Sequence, residues 1–64
     1  MDRIELARKT DWTGQIFGIF YLPNNKGTPF VTWLIMVREG KEDTYHGHYH
    51  RDLIIAVEEF KNRS

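Results

Sequence analysis

The sequence predicts an α+β fold, in which a three-stranded antiparallel β-meander packs on one C-terminal α-helix (β-β-β-α). Two observations predict it: apolar, aromatic-rich segments flank a Pro/Asn/Gly turn within 14–37, and helical apolar spacing follows residue 51. We expect a single small domain over residues 1–64, with the sheet at 11–50 and the helix at 51–63. A domain of this size buries only about 60% of its unfolded surface, so its core is small.

The sheet is predicted from two apolar runs and one polar run. The first two runs carry large apolar side chains at both odd and even positions, so each strand would be apolar on both faces. Proline, asparagine and glycine between these runs are typical of a turn, and a charged turn precedes the third run. The predicted strands are Trp12 to Leu22, Phe30 to Val37 and Thr44 to His50, with turns at 23–29 and 39–43.

The N-terminal segment 1–10 carries two conflicting patterns. Asp2 and Glu5 have the spacing of a capping box, which favours a single helical turn. Ile4 and Leu6 alternate with charged residues, as in a strand. We expect a short helical turn or a mobile arm here.

The last segment has the pattern of an amphipathic helix. Asp52 is a candidate N-cap, and Glu59 and Arg63 have the spacing of an exposed ion pair. Ile55 is expected to point towards solvent. The apolar stripe consists of Leu53, Ala56, Val57 and Phe60. One helix covers only one face of the sheet, so the other face needs a different cover.

The uncovered face predicts a surface for association. The candidates for its cover are the N-terminal segment, a second copy in a homodimer, and another protein. We favour the homodimer, because a contiguous apolar patch usually marks association. The strand register is not fixed by the sequence, so the complementary positions are equally available. The candidate partner-binding residues are Phe17, Ile19, Tyr21, Phe30, Leu34, Met36 and Ile55.

Three histidines form a second candidate site. His46, His48 and His50 alternate, so a regular strand would project all three from one face. A His-x-His pair with Asp43 or Asp52 is a candidate zinc site. The favoured alternative is a polar strand face that binds no metal, and a pH-sensitive interface is a third. We predict no cofactor.

Composition excludes several classes. There are 9 Lys and Arg against 9 Asp and Glu, which argues against a strongly basic nucleic-acid binder and against an acidic DNA mimic. The absence of cysteine excludes disulfides and thiolate metal sites. With no signal-peptide pattern and no apolar run long enough to span a bilayer, we expect a cytoplasmic protein without membrane contacts.

No constellation predicts catalysis. The single serine is Ser64 at the last position, and the threonines have no evident base. We therefore expect no enzyme activity and no small-molecule substrate.

A DNA-binding module is the second function class, because some such domains lay a sheet in the major groove. Basic and aromatic side chains around the third strand would contact phosphates and bases. The candidate residues are Arg38, Lys41, Tyr45, His48, Tyr49 and Arg51.

The function that we favour is a small non-enzymatic binding or regulatory protein, acting through an apolar aromatic sheet face or edge. One concrete hypothesis is an inhibitor of a host protein or nucleic-acid complex, of the compact kind that phages and mobile elements carry. The alternatives are the DNA-binding module and a metal-binding protein using the histidine cluster.

Overall fold

The computed structural model describes residues 3–63. It confirms an antiparallel sheet packed on one C-terminal helix, but the predicted strand number is wrong: the sheet has four strands, in the order β1-β2-β3-β4. In this described part, no helix is long and apolar enough to cross a membrane. The elements are β1 (Ile4–Thr10), β2 (Ile16–Tyr21), β3 (Phe30–Arg38), β4 (Lys41–His50) and α1 (Leu53–Asn62).

The additional strand is the segment that we expected to be a helical turn or an arm. β1 pairs with β2 from Ile4 opposite Tyr21 to Thr10 opposite Ile16. A helix of so few residues is marginal by itself, whereas the edge of β2 offers a ladder of hydrogen bonds. The alternation of Ile4 and Leu6 was therefore the relevant signal, although a register shift places Leu6 in a bulge. Asp2, the expected helix cap, lies outside the described residues.

β2 begins at Ile16 and not at Trp12, because residues 11–15 form a turn. The Asp11 carboxylate accepts hydrogen bonds from the backbone N–H groups of Thr13 and Gln15, both at 2.9 Å. Gly14 has a φ of 91°, which glycine adopts without steric cost. Aspartate bonded to backbone two residues on, followed by glycine, is a turn signal.

β4 begins at Lys41, so the predicted charged turn contracts to the two residues between Arg38 and Lys41. A bulge then interrupts the strand: Thr32 lies opposite His48, but Leu34 lies opposite Tyr45. The extra residue shifts the alternation of side chains along β4. His46 and His48 therefore do not share the regular alternation on which the predicted row of three histidines depended.

Residues at the bulge explain its position. His46 has a φ of 53°, in the left-handed region. The indole of Trp33 packs against Gly47, and a Cβ on Gly47 would lie 2.9 Å from Trp33 Cδ1. Only glycine fits at this point, because contact with the ring leaves no space for a side chain.

The helix packs on the face of the sheet that contains Phe17, Ile19 and Thr32. Its predicted N-cap is present, since Asp52 accepts a hydrogen bond from Ile54 N–H at 2.8 Å. Within the expected apolar stripe, Ala56 is buried, Val57 and Phe60 are half-buried, and Leu53 is exposed. The helix therefore packs through its middle and C-terminal part.

The opposite face is closed largely by side chains of the chain itself. Phe20, Val31 and Ile35 form a buried cluster there. The guanidinium of Arg3 lies 5.4 Å from the Phe20 ring centroid, and that of Arg8 bonds to Glu42 at 2.9 Å. Since Arg8 belongs to β1 and Glu42 to β4, this ion pair joins the two edge strands over the middle of the sheet. Side chains of the N-terminal segment thus cover this face, while its backbone pairs with β2.

Candidate functional site

Among residues 3–63, the most exposed large hydrophobic side chain is in the turn between β1 and β2. Trp12 has 91% of its surface exposed, whereas Trp33, the other tryptophan, is half-buried. The turn that carries Trp12 is fixed by the Asp11 carboxylate and by a backbone hydrogen bond from Asp11 N–H to Gln15 O at 2.8 Å. An ordered turn therefore holds an almost fully exposed indole.

A groove of about 320 Å³ lies beside this turn. It forms at the end of the sheet where β2 begins. The outermost β2–β3 pair there is Ile16 with Ile35, but β3 continues beyond it to Arg38. We call Trp12 together with this groove the Trp12 surface. The groove is lined by Gly14, Gln15, Ile16, Leu34, Ile35, Met36 and Val37.

One edge of β3 is unpaired in this groove. Residues 36–38 pair with β4 on their other edge, from Met36 opposite Asp43 to Arg38 opposite Lys41. Within residues 3–63, no backbone hydrogen bond connects 36–38 to the β1–β2 turn. Backbone groups on that edge are therefore open to solvent or to a ligand.

The structure corrects the predicted partner-binding set at two positions. Phe17 and Ile19 retain only 4% and 2% of their surface exposed, because they lie on the face that α1 covers. They are core residues of the folded chain. The sequence did not determine which face of the sheet the helix covers. In the structure the helix covers the face that contains Phe17 and Ile19.

The other five predicted partner-binding residues are dispersed. Leu34 and Met36 line the groove, and Ile55 is exposed on α1, as its position in the helix predicts. Tyr21 and Phe30 are half-buried, with ring centroids 5.5 Å apart. The sequence reasoning missed Trp12, because it placed this residue in a strand; the signal that could have found it is the Asp-Trp-Thr-Gly turn.

Two of the predicted histidines meet a carboxylate on the helix. His48 Nδ1 lies 2.6 Å from Glu59 Oε2, and His50 Nε2 lies 3.0 Å from Glu59 Oε1. The Thr32 hydroxyl also donates to Glu59. Because an ionised carboxylate only accepts hydrogen bonds, both ring nitrogens act as donors. The carboxylate that meets these histidines therefore comes from α1, whereas the zinc hypothesis used Asp43 or Asp52.

The environment of Glu59 favours its ionised form. Burial alone would raise the pKa of this carboxyl group from 4.5, but hydrogen bonds from Thr32, His50 and His48 lower the pKa to about 2. The positive charge that His48 carries when protonated acts in the same direction. Glu59 is therefore an anion that holds β3, β4 and α1 together.

Arg63 supports the bulge from the end of the helix. Its guanidinium donates to the Thr32 carbonyl at 2.7 Å, to the Thr32 hydroxyl at 2.9 Å, and to the His46 carbonyl. It also lies 5.4 Å from the Phe17 ring centroid. Glu59 and Arg63 thus both contact the sheet, instead of forming the exposed pair that the helical spacing suggested.

The metal hypothesis gains no support from this geometry. In the part of the chain that the structure describes, no three His, Cys, Asp or Glu side chains are grouped so that they could hold a metal ion. His48 and His50 each use one ring nitrogen on Glu59, and the bulge separates them from His46.

The predicted nucleic-acid contacts do not form one surface. Tyr45 and His48 lie opposite Leu34 and Thr32, on the helix-covered face, while Tyr49 lies opposite Val31 on the other face. The set Arg38, Lys41, Tyr45, His48, Tyr49 and Arg51 thus extends from the β3–β4 turn to the residue after β4. DNA binding stays a prediction, and these residues do not lie together on one sheet face as that prediction requires.

Compared with protein-family models, with curated proteins and with solved structures, the chain has no significant match.

Proposed function

We propose that this chain is a non-enzymatic protein-binding module, and that the Trp12 surface is its contact site. The observation that carries this proposal is an indole 91% exposed on a turn that hydrogen bonds hold in place. A buried aromatic side chain removes about 150–250 Å² from water, which is worth about 4–6 kcal/mol. Such an exposed group is costly in isolation and valuable in an interface.

The surroundings of Trp12 also support binding. The groove beside the turn that carries Trp12 is lined by Leu34, Met36 and Val37, and tryptophan and methionine are enriched in protein interfaces. A single aromatic anchor beside an apolar groove is the arrangement in which a few residues supply most of the binding energy. In this proposal the chain acts as a small regulator or inhibitor of a larger protein.

The polar network supports a structural role for the residues best suited to acid–base chemistry. His48 and His50 of β4 each bond to Glu59 of α1, and Arg63 bonds to the backbone of the bulge. These contacts hold the helix on the sheet. Trp12 and the groove residues take no part in these hydrogen bonds.

The test is quantitative capture from a lysate with two matched variants. Trp12→Ala removes the indole, and Ile54→Ala removes an apolar side chain that is 69% exposed elsewhere on the molecule. We expect Trp12→Ala to lower recovery of a specific partner at least ~10-fold, as for an interface anchor, and Ile54→Ala to retain it. Both variants should melt within a few degrees of the wild type. Equal recovery by wild type and Trp12→Ala would refute the assignment.

A further inference from the structure

The unpaired edge of β3 is a slot for backbone hydrogen bonding. Residues in a strand direct their N–H and C=O groups alternately to the two edges. β2 does not extend far enough to pair with residues 36–38. At least one of these three residues therefore presents both its N–H and its C=O group to the groove. We call this edge, with the groove that it faces, the β3 slot.

We propose that the β3 slot binds a short extended peptide segment of a partner protein, which pairs as an added strand with Met36–Arg38. This inference rests on the proposed function and names the chemistry of the partner. The segment occupies the line that residues 13–15 would fill if β2 continued. An apolar side chain of the segment packs in the groove, beside the turn that carries Trp12.

Hydrogen bonding selects an extended peptide over other ligands. An extended strand supplies donors and acceptors at the spacing of the β3 edge, and it adds to an exposed sheet edge in a known mode of recognition. A helix uses its own N–H and C=O groups internally, and an apolar small molecule has none to offer. At about 3.3 Å per residue, residues 36–38 span about 10 Å, which suits a segment of about three to five residues.

The area of the surface argues against a second copy as occupant. Two indoles that insert reciprocally, with the groove surface they cover, would bury about 600–1,000 Å² in total. A stable protein interface needs about 1,200–2,000 Å². In addition, Gly14 and Gln15 of the β1–β2 turn line the β3 slot, so in a symmetric dimer the turns of both copies would lie between the two β3 edges. A narrow peptide segment enters such a slot without this obstacle.

The experiment uses a displayed library of random peptides about ten residues long, selected on the wild-type chain and counter-selected on Trp12→Ala. An enriched peptide is synthesised and titrated against the wild type, Trp12→Ala, Met36→Glu and the control Ile54→Ala. We expect both changes at the site to raise the dissociation constant ~10–30-fold, as for anchor residues. Ile54→Ala should change it less than about 2-fold.

Amide hydrogen exchange then tests the strand pairing directly. Binding of the peptide should slow exchange at one or more of the 36–38 amides by ~10-fold or more, as expected for a new ladder hydrogen bond. Two N-methylated versions of the peptide complete the test, one methylated at the odd-numbered and one at the even-numbered backbone nitrogens. Only the version that blocks the N–H groups facing β3 should lose binding. Enrichment of peptides without protection at 36–38 would overturn the inference.

Two further outcomes separate this inference from the proposed function. If no peptide is enriched while capture from the lysate still depends on Trp12, the strand inference fails and the binding function stands. If neither depends on Trp12, both fail. A dimer in sedimentation equilibrium that Trp12→Ala dissociates would identify a second copy as the occupant and overturn the peptide assignment.

Discussion

Replacing Glu59 by Gln should weaken the attachment of the helix to the sheet. This change keeps the size of the side chain and one carbonyl acceptor, but it removes the charge that His48, His50 and the Thr32 hydroxyl share. The Thr32 side chain is fully buried, so its hydroxyl depends on partners within the protein. We expect the variant to fold and to be less stable.

The magnitude follows from the pKa of Glu59. A fall of the pKa from 4.5 to about 2 corresponds to about 3 kcal/mol of preference for the ionised form in the folded state. The side chain retains 28% exposure, and water screens part of this effect. We therefore expect a loss of about 2 kcal/mol from a total unfolding free energy of about 3–10 kcal/mol for a chain of this size. The melting temperature should fall by roughly 10 °C.

The dependence on pH has a defined sign. Because the pKa of Glu59 is lower in the folded state, its contribution to stability is present above about pH 4.5 and disappears as pH falls towards 2. The measurement is urea unfolding of wild type and Glu59→Gln between about pH 5 and 2. Taking the difference between them cancels the other carboxylates with lowered pKa values, namely Glu5, Asp11 and Glu42.

The control is Glu58→Gln, which changes the same residue type at the neighbouring, exposed position. It should alter the unfolding free energy by less than about 0.5 kcal/mol at every pH. A stability difference between wild type and Glu59→Gln that stays constant from pH 5 to 2, or an equal loss in Glu58→Gln, would refute the role given to Glu59.

Two further substitutions test the bulge in β4. Gly47→Ala would place a Cβ 2.9 Å from Trp33 Cδ1; the indole must then move, so we expect a loss of about 1–3 kcal/mol in urea unfolding and an altered near-UV circular dichroism spectrum. An unchanged spectrum and stability would contradict the contact. Arg63→Lys keeps the charge but loses the planar fork that reaches both the Thr32 and His46 carbonyls. We expect it to cost about 1–2 kcal/mol, and full stability in thermal unfolding would show that the fork is dispensable.

The parts of the fold that the sequence predicted depend on local patterns. The helix and its Asp52 cap are determined by spacing within one segment, and the two central strands by continuous apolar runs. The strand β1 was missed because its formation depends on a neighbour. The segment Ile4–Thr10 becomes a strand by pairing with the edge of β2. Within the segment itself, helix formers and alternating apolar residues compete.

The site was less predictable because it combines distant segments. Glu59 follows Ala56 by three residues, which places it beside the buried stripe of the helix. This spacing could have indicated that Glu59 faces the sheet, but the identity of its partners depends on the β4 register. The bulge at His46 and Gly47 is set by packing of Trp33, and no periodicity along β4 reveals it.

The proposed binding slot results from unequal strand lengths. β2 has 6 residues, whereas β3 has 9 and β4 has 10. The Asp11 carboxylate accepts a hydrogen bond from Gln15 N–H, so the β2–β3 ladder stops at Ile16. The β3–β4 hairpin continues beyond this point to Arg38 and Lys41. The same turn therefore exposes Trp12 and leaves the edge of β3 unpaired beside it. Because one local structure creates both features, disrupting the turn through Asp11 should remove the anchor and the slot together.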